Sequence, residues 1–272
     1  MDRLKLYYQS FVNRAVAEPY LRHLAGYLDS VKRQDTLISI GELVPPDEYA
    51  HALVEYRCGL QAISKAVEAE EAGFDAVILG HFQDSGLHEA KAALGIPVIG
   101  LGEVSMYFAC TMADRFGLVT LNPRFIPIHE HQVVRYGLER RVVGVRALRF
   151  QPGEFTSAFD DPGRIAAAVR SLQEQARPLV DAGAELIIPA GGIPMLACGK
   201  MGKVEVDGVP VLDALPVVLK FAEMAVELKK QSGIHISRKG LYCQPPKEVI
   251  QTAVNLIATR RRNERTTQSG GQ

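Results

Sequence analysis

Short apolar runs recur along the chain, and stretches with helical spacing of apolar residues separate them. Leu4 to Tyr8 and Thr36 to Ile40 read as strands. The stretch from Tyr49 to Ala72 carries the i, i+3, i+4 spacing of a long amphipathic helix, and Phe74 to Gly80 reads as the next strand. Leu87 to Leu94 is predicted helical, Pro97 to Leu101 a short strand, Glu103 to Arg115 helical and Gly117 to Leu121 a strand. Helix Ile126 to Tyr136, strand Val142 to Ala147, helix Pro162 to Asp181 and strand Glu185 to Pro189 follow. A short strand, Val209 to Leu212, then leads into helix Leu215 to Lys230. Alternation of this kind predicts an α/β fold of parallel sheets with helices on both faces.

One strand-then-turn pattern occurs twice. Asp75-Ala76-Val77-Ile78-Leu79-Gly80-His81-Phe82-Gln83-Asp84-Ser85-Gly86-Leu87 is the first copy, and Ala184-Glu185-Leu186-Ile187-Ile188-Pro189-Ala190-Gly191-Gly192-Ile193-Pro194-Met195 the second. Ligands of open α/β sheets bind outside the carboxyl ends of the strands, where both turns fall. The expected architecture is two similar doubly wound parallel-sheet lobes with a cleft between them. Residues 1–114 with 213–262 form the first lobe, residues 115–212 the second, and residues 263–272 a polar, disordered tail.

Chemistry is concentrated at the first turn. His81 follows the strand directly, and imidazole exchanges protons near neutral pH, as an acid–base group must. Asp84 and Ser85 can cap the helix starting near Leu87, a role that needs no substrate. Glu103, after Gly100-Leu101-Gly102, either orients His81 or a ligand, or is a first-turn carboxylate favoured by the helix dipole. Thr120 and Asn122 end the first strand of the second lobe, and Gln9 and Ser10 hold the matching place in the first. Their short polar groups suit a carboxylate or an imide-type ring, and equally suit ordinary turn chemistry. Gly191 and Gly192 cannot take up protons, but they let a backbone approach a ligand and offer N–H donors. Phe82, Ser85, Thr120, Asn122, Gln9, Ser10, Gly191 and Gly192 are thus the candidate substrate contacts. His81, Glu103 and Asp84 are the candidate catalytic groups.

Composition narrows the partners. Lys and Arg number 31, as do Asp and Glu, and no basic stretch within the fold resembles a phosphate-tracking groove. Arg260-Arg261-Arg262 lies in the polar tail, so no nucleic-acid partner is expected. No apolar stretch is long enough to span a bilayer and the N-terminus lacks a signal-peptide core, which predicts a soluble, cytosolic protein. Cys58, Cys110, Cys198 and Cys243 have no C-x-x-C spacing. Cys58 and Cys110 read as small core residues, and the Cys243 loop could fold back over the cleft. His129-Glu130-His131 reads as a polar helix surface, because ligands two apart on a helix face different ways, so no metal centre is expected. No P-loop, G-x-G-x-x-G after the first strand or nucleophile elbow occurs, and no nucleotide cofactor is expected.

Taken in order and spacing, several segments resemble the aspartate/glutamate/hydantoin racemase superfamily, and its hydantoin racemase-like branch most closely. They are Asp75 to Leu87, Ile96 to Glu103, Gly117 to Thr120, Gly183 to Ile188 and Gly208 to Asp213, with Ser237 to Tyr242 and Pro245-Pro246-Lys247 near the end. The resemblance implies two α/β lobes, an active site between them, and cofactor-independent proton transfer next to a carbonyl. It also implies one cysteine at the end of each matching strand, one thiolate removing the proton and the opposite thiol returning another. Here His81 stands at the first of those positions and Gly191, or Gly192 in a register shifted by one, at the second.

Two-thiol racemisation therefore cannot operate in this chain. The expected activity is a hydantoin racemase-like isomerisation of a small carboxylate or cyclic imide, with His81 as the acid–base group. Alternatives are a one-base lyase, decarboxylase or hydrolase on the same scaffold, and a non-catalytic small-molecule binder. The apolar face of the helix from Tyr49 to Ala72 is expected to pair subunits in a homo-oligomer.

Overall fold

The computed structural model of the chain describes residues 3–148 and 156–255. Two parallel sheets form its frame. The first has the order β2-β1-β3-β4, made of β1 (Leu4–Gln9), β2 (Thr36–Gly41), β3 (Ala76–Leu79) and β4 (Val98–Gly100). The second has the order β6-β5-β7, made of β5 (Phe116–Thr120), β6 (Val142–Ala147) and β7 (Leu186–Ala190). Strands β3, β5 and β7 are buried along their whole length, as strands covered on both faces must be. The tail 263–272 and the arginine run 260–262 lie outside the described residues.

Side chains of the first sheet divide by the two-residue period of a strand. Leu6, Tyr8, Ala76 and Ile78 face a large core that continues through Phe116, Leu118 and Ile188 of the second sheet. Val77 and Leu79 point the other way, into a smaller core. There α2 (Ala52–Glu71) contributes Cys58, Ala62 and Ala66, and α3 (Leu87–Ala93) contributes Leu87 and Ala90. The larger core is closed by α1 (Arg14–Val31), α4 (Leu101–Ala109), α6 (Pro162–Asp181), α7 (Gly192–Met201) and α8 (Ala214–Ser232). α5 (Ile126–Arg135) follows a 3-10 turn at Pro123–Phe125.

Several elements differ from the sequence pattern. Helix α2 begins at Ala52, with His51 as its N-cap accepting from the Leu53 N–H, so Tyr49 stands in the preceding loop. Helix α4 starts at Leu101 and ends by Cys110, short of the expected Arg115. Val209–Pro210 is one arm of a two-stranded antiparallel hairpin with Glu205–Val206, turning through Asp207 and Gly208, both at positive φ. Val211 bridges to the second sheet beside Ile187, and the Leu212 N–H donates to the Ile187 carbonyl.

Helix α1, between the first two strands, is unexpected in view of Pro19. The chain is non-helical at Ala17 (φ −146°, ψ 36°), so Pro19 falls in the first turn of the continuous helix, where its missing N–H removes no bond. That break swings Val16, Ala17 and Tyr20 toward the carboxyl ends of the sheets, where all three line one cavity. No described helix is long and apolar enough to cross a membrane.

Candidate active site

The carboxyl ends of β3 and β7 meet at a cavity of about 490 Å³ between the two sheets. Glycine is required at the end of β3, since a Cβ on Gly80 would lie 2.2 Å from the Tyr8 ring. The next residue, His81, points its ring into a built environment. Its Nε2 lies 2.8 Å from Glu55 Oε2 and 3.8 Å from Asp47 Oδ2. Ser85 Oγ donates to the same Glu55 oxygen at 2.5 Å. Phe11 stacks on the imidazole with centroids 4.2 Å apart and planes within 5°, fixing the ring's orientation. His81 Nδ1 has no hydrogen-bond partner among the described residues.

Burial disfavours the imidazolium, but Glu55 first, then Asp47 and Asp84, outweigh it, and the His81 pKa is raised. Glu55 shows the complement. Its burial would push the carboxyl up, yet His81 and the Ser85 hydroxyl hold it below its ordinary range. Asp47 lies farther from the imidazole, and burial pushes it up to about 6 against the pull of His81, then Arg57 and the Tyr49 N–H. Neither carboxylate was singled out by the sequence, because Asp47 sits on a proline-bearing loop and Glu55 inside an amphipathic helix.

At the second turn, Gly191 is extended (φ 162°) and its N–H donates to the Pro189 carbonyl at 2.9 Å. That N–H is therefore not available to a ligand. The N–H groups of Gly192 and Ile193 open α7, have no intrahelical acceptor by position, and line the cavity. A Cβ on Gly192 would come 2.8 Å from the Tyr20 hydroxyl and 3.3 Å from the Gly80 carbonyl. The phenol of Tyr20 thus fills the space a side chain at Gly192 would use. Burial, then Tyr8, holds that phenol well above its ordinary pKa, so it is a neutral donor.

The other candidate residues are placed differently. Ser10 lines the cavity with His81, Gly191 and Gly192. Gln9, one residue earlier, is buried and donates its amide to the Ser10 carbonyl at 2.6 Å. Phe82 is a core side chain packed edge-on to His129, and Ser85 supports Glu55. Thr120 is fully buried and bonded to His129 Nε2 at 3.0 Å. Asn122 caps the 3-10 turn by accepting from the Arg124 N–H. Glu103 pairs with Lys91 and does not line the cavity; the carboxylates beside His81 are Glu55 and Asp47.

Asp84 does cap a helix, though α4 and not α3. Its carboxylate accepts from the N–H groups of Gly102 and Glu103, the Gln132 amide and the Tyr136 hydroxyl. Burial pushes it up to about 7 against the Tyr136 hydroxyl and the Gly102 and Glu103 N–H groups. It joins α4 to α5 and so ties the two sheets together beneath the cavity. His129 is buried, contrary to the expected polar surface. Its Nδ1 lies 3.0 Å from Gln132 Oε1, and burial drives its pKa down to about 4.

No cysteine lines the cavity among the described residues. Burial pushes Cys58 and Cys198 up to about 12. Cys243 is exposed, and its loop lies against α3, where Arg238 Nη1 donates to the Lys91 carbonyl at 2.8 Å and Gln244 to the Ala93 carbonyl at 3.0 Å. The cavity's charged groups are Asp47, Glu48 and His81, and no Lys or Arg lines it among the described residues.

Two parallel α/β sheets, with a buried, carboxylate-paired histidine at the strand ends between them, make up a racemase-type enzyme scaffold. Residues 45–222 match the Asp/Glu/hydantoin racemase family, and the chain belongs to that family. It is 30% identical over 244 residues to a hydantoin racemase of Pseudomonas sp. (strain NS671), covering 88% of this chain and 90% of that protein. A hydantoin racemase of Rhizobium meliloti is 31% identical over 179 residues, 65% of this chain and 69% of that one. Among solved structures, allantoin racemase from Klebsiella pneumoniae superposes with a TM-score of 0.74 at 21% identity, covering 89% of this chain and 94% of that chain. Glutamate racemase from Thermus thermophilus superposes with a TM-score of 0.58 at 17% identity, covering 85% and 83%. These two likenesses show the shared fold.

Proposed function

We propose that the chain catalyses cofactor-independent proton transfer at a carbon next to a carbonyl of a neutral cyclic imide of the hydantoin type. The observation that carries this reading is His81, held by Glu55 and Asp47 at the end of a cavity with no basic side chain among its described lining residues. A free amino acid or a malonate would bring one or two carboxylates to a site that already holds three acidic or acid-paired groups. No Lys or Arg lines the described cavity to repay the repulsion. A neutral imide ring avoids that cost, and the apolar wall of Val16, Leu121, Phe125 and Ile193 accommodates a ring substituent.

In this reading Glu55 engages Nε2 and Nδ1 is the nitrogen that exchanges a proton with the substrate. The base must be neutral to accept that proton, so turnover rises as pH passes upward through the raised His81 pKa. Charge that develops on the carbonyl oxygen is met by the N–H groups of Gly192 and Ile193. Tyr20, a neutral phenol at the second turn, returns a proton to the carbon. A histidine and a tyrosine thus divide the work that two thiols share elsewhere in the family.

The test is a substrate panel followed by circular dichroism: 5-substituted hydantoins, allantoin, aspartate, glutamate and arylmalonates. Loss of optical rotation confined to the neutral rings supports the reading. Turnover of aspartate or glutamate at comparable kcat/KM, or loss of CO₂ from arylmalonates, contradicts it.

A further inference from the structure

Asp47, Glu55 and His81 each offer one donor atom, and those atoms all lie within 4.8 Å of one another. We propose that these three side chains form a binding site for one divalent transition-metal ion of the zinc type, open to the cavity. No metal centre is legible in the sequence because the ligands come from a loop, a helix and a strand end, spaced 8 and 26 residues apart.

Three independent observations support the site. Donors bound at about 2.1 Å lie roughly 3.4 Å apart around a tetrahedral ion. The two contacts of His81 Nε2, 2.8 Å to Glu55 and 3.8 Å to Asp47, bracket that separation. The second observation is unspent bonding capacity. Glu55 Oε1 and Asp47 Oδ1 are buried and have no hydrogen-bond partner, although their side chains are only 9% and 10% exposed. Buried carboxylate oxygens are rarely left without a donor or a cation. Third, a divalent ion on two carboxylates and a neutral imidazole leaves no net charge among the ligands, and Arg57 makes no ion pair with either carboxylate but donates to the carbonyls of Pro45 and Pro46 and to Gln61.

The surroundings suit a metal ligand set. Ser85 orients the Glu55 carboxylate and Phe11 holds the imidazole plane, the kind of outer support that fixes ligand geometry. Asp47 and His81 both border the cavity, so a fourth position faces the space a substrate would enter. Mixed imidazole and carboxylate donors select zinc, cobalt or manganese over magnesium. Occupation of Nε2 leaves the remaining ring proton on Nδ1 and removes the free base, so the ion and proton transfer exclude one another. Binding itself does not depend on the proposed reaction; only this effect on turnover does.

The test uses the full chain, freed of metal by a chelator and titrated with CoCl₂ and ZnCl₂. Calorimetry supplies the stoichiometry and the visible cobalt spectrum reports on the ligand field. One ion per chain is expected, with at least a hundredfold weaker binding in His81→Ala and Glu55→Gln and about tenfold in Asp47→Asn. Far-UV circular dichroism checks that each variant is folded, and Asp47→Asn, on a loop, serves if Glu55→Gln is not. No binding up to millimolar cobalt or zinc overturns the site, as does binding that survives His81→Ala undiminished.

Discussion

Replacing Glu55 by Gln keeps the shape of the side chain and deletes the charge that holds His81. The residue is 7% exposed and meets Nε2 at 2.8 Å, so the contact is a charge-assisted hydrogen bond inside the protein. Bonds of that kind contribute about 1.5–3 kcal/mol. Each ~1.4 kcal/mol of differential interaction is a tenfold change in proton affinity, so the ring should bind its proton about ten- to a hundredfold more weakly in the variant. Asp47, still 3.8 Å away, retains part of the attraction and favours the lower end of that range. Because the folded His81 pKa is raised, its stabilisation is fully present below the unfolded histidine value and is lost as pH climbs through the folded one. Glu55 is lowered, so its share is present above the ordinary carboxylate value and is lost as pH falls through the folded one. The pair therefore contributes most between those limits, and the variant should be most destabilised there. Histidine-selective ¹³C labelling, with the His81 signal assigned by its disappearance in His81→Ala, gives the titration directly. A proton affinity changed by less than twofold would refute the assignment of Glu55 as the group that charges His81.

Tyr20→Phe removes the hydroxyl beside Gly192 and should lower kcat by about 10²–10⁴, the usual contribution of a positioned acid, with KM within a few fold; a kcat within threefold of wild type would remove Tyr20 from the reaction. Asp47→Asn relieves a carboxyl that burial has pushed up to about 6. That cost is absent below the ordinary aspartate value and in force above pH ~6, so urea unfolding should show the variant more stable by about 1–2 kcal/mol at pH 7.5 and unchanged near pH 4. Equal stability at both pH values counts against it. Ile78→Ala empties a fully buried site in the central strand of the first sheet and should destabilise by about 2–5 kcal/mol, read by the same unfolding experiment.

Strands and their turns were legible because β3, β5 and β7 are continuous apolar runs, whose burial on both faces the pattern states directly. His81 and the paired glycines follow from the same feature, since a residue that ends a parallel strand has little choice of side. Partners of His81 were not legible. Glu55 lies in the first turn of α2, where the helix dipole alone would explain a carboxylate, and only the register of α2 against β3 brings it to the imidazole. A place at a strand end suggested Glu103, whose carboxylate turns to Lys91. Tyr20 was hidden by Pro19, a helix breaker that α1 accommodates by starting its regular turns just before it.

The most direct measurement is hydrogen exchange in D₂O on a 5-substituted hydantoin, followed by NMR and polarimetry for wild type, His81→Ala and Tyr20→Phe. Deuterium entering the carbon acid together with loss of rotation in wild type, and neither change in His81→Ala, is the predicted result. Exchange and racemisation at wild-type rates in His81→Ala would contradict the assignment of His81 as the proton-transfer group.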